Sequence, residues 1–284
     1  MKKVLVAGAT GYLGRYLVQE LKKQGYWVRA LARNTKKLDD LKNNIDDIFE
    51  AEVTKPETLT GICDNIDVVI SSIGITRQKD GLTYMDVDYQ GNSNLLREAS
   101  RSGIKKFIYV SVLKGQSLKN LKMVEAKERF VENLKASGIK YAIIRPNGFF
   151  SDMTELLTMA DKGKVYLFGS GEFKGNPIHG ADLAEYMVQK LDSDETELDI
   201  GGPDVLSQNQ MTRAAFKAVG KKEKMVYIPL WIKNIIINLV RWFSSQKTYG
   251  PVEFFMTVMA MDMVAPAFGK YHLEDFFMEN KDSL

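Results

Sequence analysis

Three glycines, Gly8, Gly11 and Gly14, stand between the short apolar run at residues 4–7 and a helical pattern that starts at Tyr12. Each has separate work to do there. Gly8 lets the chain turn sharply out of a strand. Gly11 allows backbone to approach an anion with no side chain in the way, and Gly14 lets a helix lie close to a sheet. The free N–H groups and positive dipole end of that helix then face a diphosphate. The turn as a whole, Gly8, Thr10, Gly11, Tyr12, Leu13 and Gly14, is the expected pyrophosphate cradle. A glycine triplet alone is weak; one set between a strand and an amphipathic helix is a strong sign of dinucleotide binding.

The dinucleotide can be read from the end of the next strand. A site for NAD usually places Asp or Glu there to hold the ribose 2′-hydroxyl. Here the strand runs into Ala32, Arg33, Asn34, Thr35, Lys36 and Lys37, with no carboxylate. The planar Arg33 guanidinium suits a 2′-phosphate, and Lys37 adds charge beside it. NADP(H) is therefore the expected cofactor. Ser111, at the carboxyl end of a later strand, is expected to face the ligand crevice of such a sheet.

The elements that must position these residues alternate along the first half of the chain. Strand patterns fall at 4–7, 27–32, 47–52, 67–71, 106–111 and 141–144, with helical patterns at 12–24 and 121–136. Strands apolar throughout are expected where helices cover both sheet faces, and this alternation predicts a doubly wound parallel α/β sheet. After Arg145 and Pro146 the pattern loosens. Helices are expected near 152–160 and 181–191, strands at 164–168 and 198–200, and a loop over 169–177. Ser207 and Gln210 form a capping box for a helix ending at Val219. The division that follows is a Rossmann core over 1–150, rejoined by 178–202, and a small, mostly helical substrate-side region over 151–177 and 203–284.

Within residues 231–243, Lys233, Asn234, Asn238 and Arg241 fall on one arc of a helical wheel and most other positions are apolar. Such a helix either covers a cleft or lies in a membrane interface, the second reading prompted by Trp231 and Trp242. Peripheral membrane contact through 229–243 is thus one expectation. Met256, Met259, Met261 and Met263 follow, suited to core packing or to an adaptable apolar pocket.

Totals narrow the class. Among the 284 residues, 45% are apolar, enough for a sizeable core, and a net charge of +3 is too small to imply nucleic acid. A single cysteine, Cys63, cannot form an internal disulfide, and His179 and His272 lack metal-ligand spacing, so no metal site is expected. No uninterrupted apolar stretch of ~18 residues predicts a membrane span. The apolar run after Lys2 and Lys3 is too short for a signal peptide, which leaves a reducing cytoplasm as the expected location.

The chain resembles an atypical, extended-like short-chain dehydrogenase/reductase. The resemblance rests on the glycine spacing of the turn and on Ser71, Ser72, Ile73 and Gly74 at the end of the fourth strand. It also rests on Asp88, Gly91 and Asn92 opening a helix, on Tyr109 to Ser111, and on Ile144 to Phe150. It extends over nearly the whole chain. The nearest subgroup is that of the divinyl chlorophyllide a 8-vinyl-reductases, to which 32–38, Arg145 and Pro146 with Phe149 and Phe150, 200–203 and 269–277 are similar. The resemblance implies that Ser72, Ile73, Gly74 and Pro146 join the cofactor site. Typical members place a Tyr and a Lys four residues apart on a helix, the Lys holding the nicotinamide ribose and the Tyr giving a proton. The matching positions here are Met123 and Lys127. Methionine has no proton to give, whereas Lys127 keeps its implied role.

Three readings follow. The protein reduces a carbon–carbon double bond of an apolar small molecule, such as a vinyl group, without the usual Tyr. Or it binds NADP(H) as a sensor or assembly factor and performs no chemistry. Or Tyr84, Tyr89 or Tyr109 supplies the acid.

Overall fold

The computed structural model describes residues 1–75 and 81–283. The chain opens with β1 (Lys3–Ala7), α1 (Tyr12–Lys23), β2 (Trp27–Ala32), β3 (Asp47–Glu50), β4 (Val68–Ser71), α2 (Asn92–Arg101), β5 (Lys106–Val110), α3 (Lys122–Lys135) and β6 (Lys140–Pro146). It continues through α4 (Phe150–Asp161), β7 (Val165–Phe168), β8 (Lys174–Gly175), α5 (Gly180–Gln189), β9 (Glu197–Ile200), β10 (Leu206–Ser207) and α6 (Gln208–Val219). The last elements are β11 (Met225–Ile228), α7 (Leu230–Phe243), α8 (Gln246–Val258) and α9 (Leu273–Asn280).

Seven strands form one sheet in the order β3-β2-β1-β4-β5-β6-β9, and the neighbours from β3 to β6 pair in parallel. This is the doubly wound α/β fold expected from the alternation. Its strands are apolar throughout because both faces are covered: every residue of β4 and β5 is buried. Strand order reverses between β1 and β4. In open α/β sheets the crevice outside the carboxyl ends of the strands at such a reversal is where ligands bind.

The residues group into two compact units, Met1–Arg145 with Ala184–Leu198, and Pro146–Leu183 with Asp199–Leu284. The first holds the core of Leu5, Val69, Phe107, Tyr109, Phe130 and their neighbours. The second packs α4, α6 and α9 around Phe150, Leu157, Phe216 and Phe277. Its hub is the buried Asn176 side chain, which donates to the carbonyls of Gly202 (3.0 Å) and Ala265 (2.9 Å) and accepts from Ala265 N (3.0 Å).

Several elements differ from the sequence expectation. A ten-residue 3₁₀ segment, Thr35–Asn44, which no periodic pattern marked, follows β2, started by the Asn34 side chain accepting from Lys36 N at 3.1 Å. The helix expected to open at Asp88 begins one turn earlier, as a π-helical stretch over Met85–Gly91. Such wide turns give no separate periodic signal and recur at functional sites. The segment expected as a loop over 169–177 contains β8, which pairs antiparallel with β10. Neither β11 nor α9 stood out by periodicity. β11 pairs in parallel with β7, and α9 buries only Leu273 and Phe277.

Candidate functional site

The turn after β1 has the geometry its glycines allow. Gly8 sits at φ +92°, and a Cβ there would lie 2.7 Å from Ser72 Oγ. Gly11 N donates to Gly8 O at 2.9 Å, tightening the turn. A Cβ on Gly14 would overlap the Gly8 carbonyl, so only glycine lets the helix start this close to the strand. No side chain caps the first turn of α1, and no acid stands in it. An anion is what such a turn can take.

Opposite this turn, the exit from β4 is held by side chains of the next helix. Ser71 Oγ donates to Asn92 Oδ1 at 2.5 Å, Asn92 Nδ2 donates to Asp88 O at 2.8 Å, and Ile75 N donates to Asp88 Oδ2 at 3.1 Å. Ser72 Oγ donates to Ala7 O at 3.3 Å, tying β4 to the glycine turn. Ser72 and Ile73 thus lie beside Gly8 at the strand-order reversal.

Lys127, on α3, reaches this exit. Its Nζ lies 2.7 Å from Asp88 Oδ1, with the Asp88 side chain fully buried and only 14% of the Lys127 side chain exposed. A Cβ on Gly74 would stand 2.5 Å from Lys127 Nζ and 2.7 Å from Asp88 Oδ1. The exposed Gly74 is therefore a window above the ion pair. Burial opposes charge on Lys127, but Asp88 and Tyr109 together outweigh it and the pKa is raised. Burial pushes the Asp88 carboxyl upward, against the pull of Lys127.

Sequence reasoning read Asp88 only as a helix opener. Its distance from Lys127 along the chain hides their pairing.

Met123, one turn before Lys127, is buried. Of the three tyrosines considered, Tyr84 and Tyr109 are fully buried, and Tyr89 is partly buried with the Arg129 guanidinium 5.0 Å above its ring. Lys127 Nζ lies 5.8 Å from the Tyr109 ring centroid, and burial raises the Tyr109 phenol well above its usual range. Ser111 Oγ donates to Glu128 Oε1 at 2.7 Å and lies 3.4 Å from Arg145 Nη1. Glu128 and Arg145 are both buried and doubly hydrogen bonded to each other. The Ser111 hydroxyl is thus engaged inside a buried polar cluster, and Pro146 is buried at the end of β6.

Arg33 extends from the end of β2 with 60% of its side chain exposed, loosely paired with Glu52 at 4.0 Å. Glu52, which sequence reading did not connect with Arg33, is itself held by Lys55 at 2.8 Å. Lys37 is exposed, and its carbonyl accepts from Arg15 Nη1 at 3.1 Å. The basic end of β2 and the glycine cradle both belong to the first unit.

The remaining titratable candidates lie elsewhere. Cys63 is buried and its thiol is pushed up to about 12 by desolvation. His179 and His272, far apart in sequence, line one cavity of about 350 Å³ in the second unit. Among the described residues no cluster could hold a metal ion.

A sharp glycine turn at the strand-order reversal is the arrangement that a dinucleotide-binding fold offers. The chain belongs to the NAD(P)H-binding family, whose pattern it matches over residues 8–194. It is 27% identical to the photosystem II assembly factor Ycf39 of Synechocystis sp., over 87% of this chain and 76% of that one. It is equally 27% identical to the chloroplastic divinyl chlorophyllide a 8-vinyl-reductase of Arabidopsis thaliana, over 99% of this chain and 74% of that one. The fold is shared with the leucoanthocyanidin reductase–NADPH complex of Vitis vinifera: TM-score 0.76, 17% identity, 99% of each chain covered.

Proposed function

We propose that this protein is an NADP(H)-dependent reductase acting on a carbon–carbon double bond of an apolar small molecule. The observation that carries this reading is the buried Lys127–Asp88 pair beneath Gly74, set next to a methionine where the related dehydrogenases place a tyrosine. A fixed cation at the nicotinamide ribose serves any hydride transfer. The missing phenol argues against protonating a carbonyl oxygen; reduction of a vinyl group takes its proton at carbon instead, with water as the donor in place of the absent tyrosine. The similarity to divinyl chlorophyllide reductases supports the same direction.

The residues present fit the dinucleotide. A Cβ at Gly8 would run into Ser72 and one at Gly14 into the Gly8 carbonyl, so only glycines keep the tight turn that bares its backbone amides, and Arg33, with 60% of its side chain exposed, stands at the end of β2 where a 2′-phosphate would lie. When bound, the nicotinamide supplies hydride. Amides of the turn 8–14 hold the diphosphate, and Arg33 with Lys37 selects the 2′-phosphate. Lys127, fixed by Asp88, orients the ribose. Residues 72–74 flank the nicotinamide side. Ser111 is assigned to the substrate, its hydroxyl set by Glu128.

A second reading has its own support. With Lys127 and Ser111 both engaged internally and Met123 unable to donate a proton, the site would also serve a non-catalytic NADP(H) sensor or assembly factor. The similarity to a photosystem II assembly factor points that way. Steady-state oxidation of NADPH against enones and vinyl tetrapyrroles separates the two. Turnover with any member supports the reductase. Tight NADPH binding without turnover, together with NADPH-dependent capture of a protein partner, replaces it with the sensor.

A further inference from the structure

Helix α7 has two apolar faces, and only one is covered. Ile236 and Ile237 pack with Val252, Met256 and Met259 of the following segment. On another side of the helix Trp231, Ile235, Leu239 and Trp242 follow one another at spacings of four, four and three residues, which places them in one row. They are 64%, 48%, 50% and 87% exposed. Phe243, at 80%, extends the row. Five large apolar side chains in a contiguous stripe are more than the scattered exposure of an ordinary surface, and they mark an interaction face.

The occupant follows from charge and length. Between Lys224 and Val252 the chain has four basic residues, Lys224, Lys233, Arg241 and Lys247, and no Asp or Glu. The next acid, Glu253, is buried and paired with Arg241. With Arg241 neutralised by Glu253, Lys224, Lys233 and Lys247 leave the segment that carries the stripe with an excess of positive charge. A two-fold contact with a second copy would set this basic segment against itself, whereas an anionic surface would neutralise it. The stripe also has tryptophan near both ends, the residue favoured where hydrocarbon meets headgroups. Fourteen residues span about 21 Å, short of the ~30 Å hydrocarbon core, so the helix cannot cross a bilayer but can lie in its surface.

We propose that α7 docks this protein in the plane of an anionic lipid bilayer, with Trp231, Ile235, Leu239 and Trp242 entering the acyl boundary. This stands on the exposed stripe alone and is independent of the reaction proposed above.

The test is co-sedimentation of the full chain with vesicles of phosphatidylcholine, with and without phosphatidylglycerol, while tryptophan emission is recorded. The expected result is sedimentation with the anionic vesicles, a blue shift of emission, and release by salt as surface charges are screened. The double variant W231S/W242S is expected to lose about tenfold or more in partitioning as apolar burial is removed, while still binding NADPH, which checks that it folds. Should that variant fail to fold, Lys247→Glu is expected to abolish the preference for anionic vesicles. The proposal is overturned if the protein ignores both vesicle types, or if the variants sediment like the parent. It is also overturned if the protein is a lipid-independent dimer that W231S/W242S converts to monomer.

Discussion

The carboxyl edge of β1 and β4 and the outer face of α7 break the rule of apolar inside and polar outside in opposite directions. At the sheet edge, Asp88, Asn92, Ser71 and Lys127 are drawn inward, each with a partner. On α7, tryptophan, isoleucine and leucine are left about half exposed or more among the described residues. Burying charge costs free energy unless it is paired, and exposing a large apolar stripe invites association. The first departure is resolved within the chain, by ion pairing. The second is resolved only by something outside it. Polar groups inside and apolar groups outside are therefore the places to look for function in this molecule.

That contrast can be broken first at the cradle. Gly14→Val is expected to abolish dinucleotide binding and to cost about 3 kcal/mol, since the added side chain would overpack against the Gly8 carbonyl. Calorimetric titration and urea unfolding read both effects. A variant that binds NADPH normally would show that the turn is not the diphosphate site.

The next blow falls on the buried pair. Asp88→Asn leaves the Lys127 ammonium buried without its counter-charge and is expected to lose about 3 kcal/mol of stability. Adding Lys127→Met should restore most of that stability but not turnover. If turnover returns with stability, the pair is structural and Lys127 does not orient the ribose.

Cofactor choice sharpens the comparison further. Arg33→Ala is expected to weaken NADPH about tenfold to a hundredfold, the worth of one charged hydrogen-bonding group, while leaving NADH nearly unchanged. Equal losses for both cofactors would remove the 2′-phosphate assignment.

The smallest effect is expected in the second unit. The hydrogen bond that His272 Nδ1–H donates to the Asp204 carboxylate, together with its charge, raises the His272 pKa, and Asp275 and Asp182 add to it. A raised folded-state value stabilises the protein below the unfolded pKa of ~6.5 and ceases to do so as pH climbs through the folded value. Asp204→Asn should return the His272 titration, followed by NMR, toward the ordinary value. An unmoved titration would mean that the contact does not persist in solution. His179, in the same cavity, is shifted the other way by burial and should not respond.

Local signals made the first unit legible. Buried β-branched runs, turn glycines and strand–helix alternation are short-range features, so the parallel sheet and the sharp turn at Gly8 could be read without coordinates. The capping box at Ser207 and Gln210 is equally local and forms as read, with Gln210 N donating to Ser207 Oγ at 3.3 Å and Ser207 N to Gln210 Oε1 at 2.8 Å. Elements with weak periodicity, such as β11 and the π-helical turn over Met85–Gly91, were not legible, because tertiary pairing rather than propensity holds them.

What the amino-acid order determined alone is where backbone must bend sharply, and which residue types stand at strand ends. What tertiary structure decided is which charges meet. Asp88 finds Lys127, Ser111 is taken up by Glu128 and Arg145, and Glu52 comes to Arg33. It also decided which apolar side of α7 is covered. A helical wheel reports that an apolar face exists; only the packing of neighbouring elements, set by contacts distant along the chain, determines whether that face meets protein or is left for another surface.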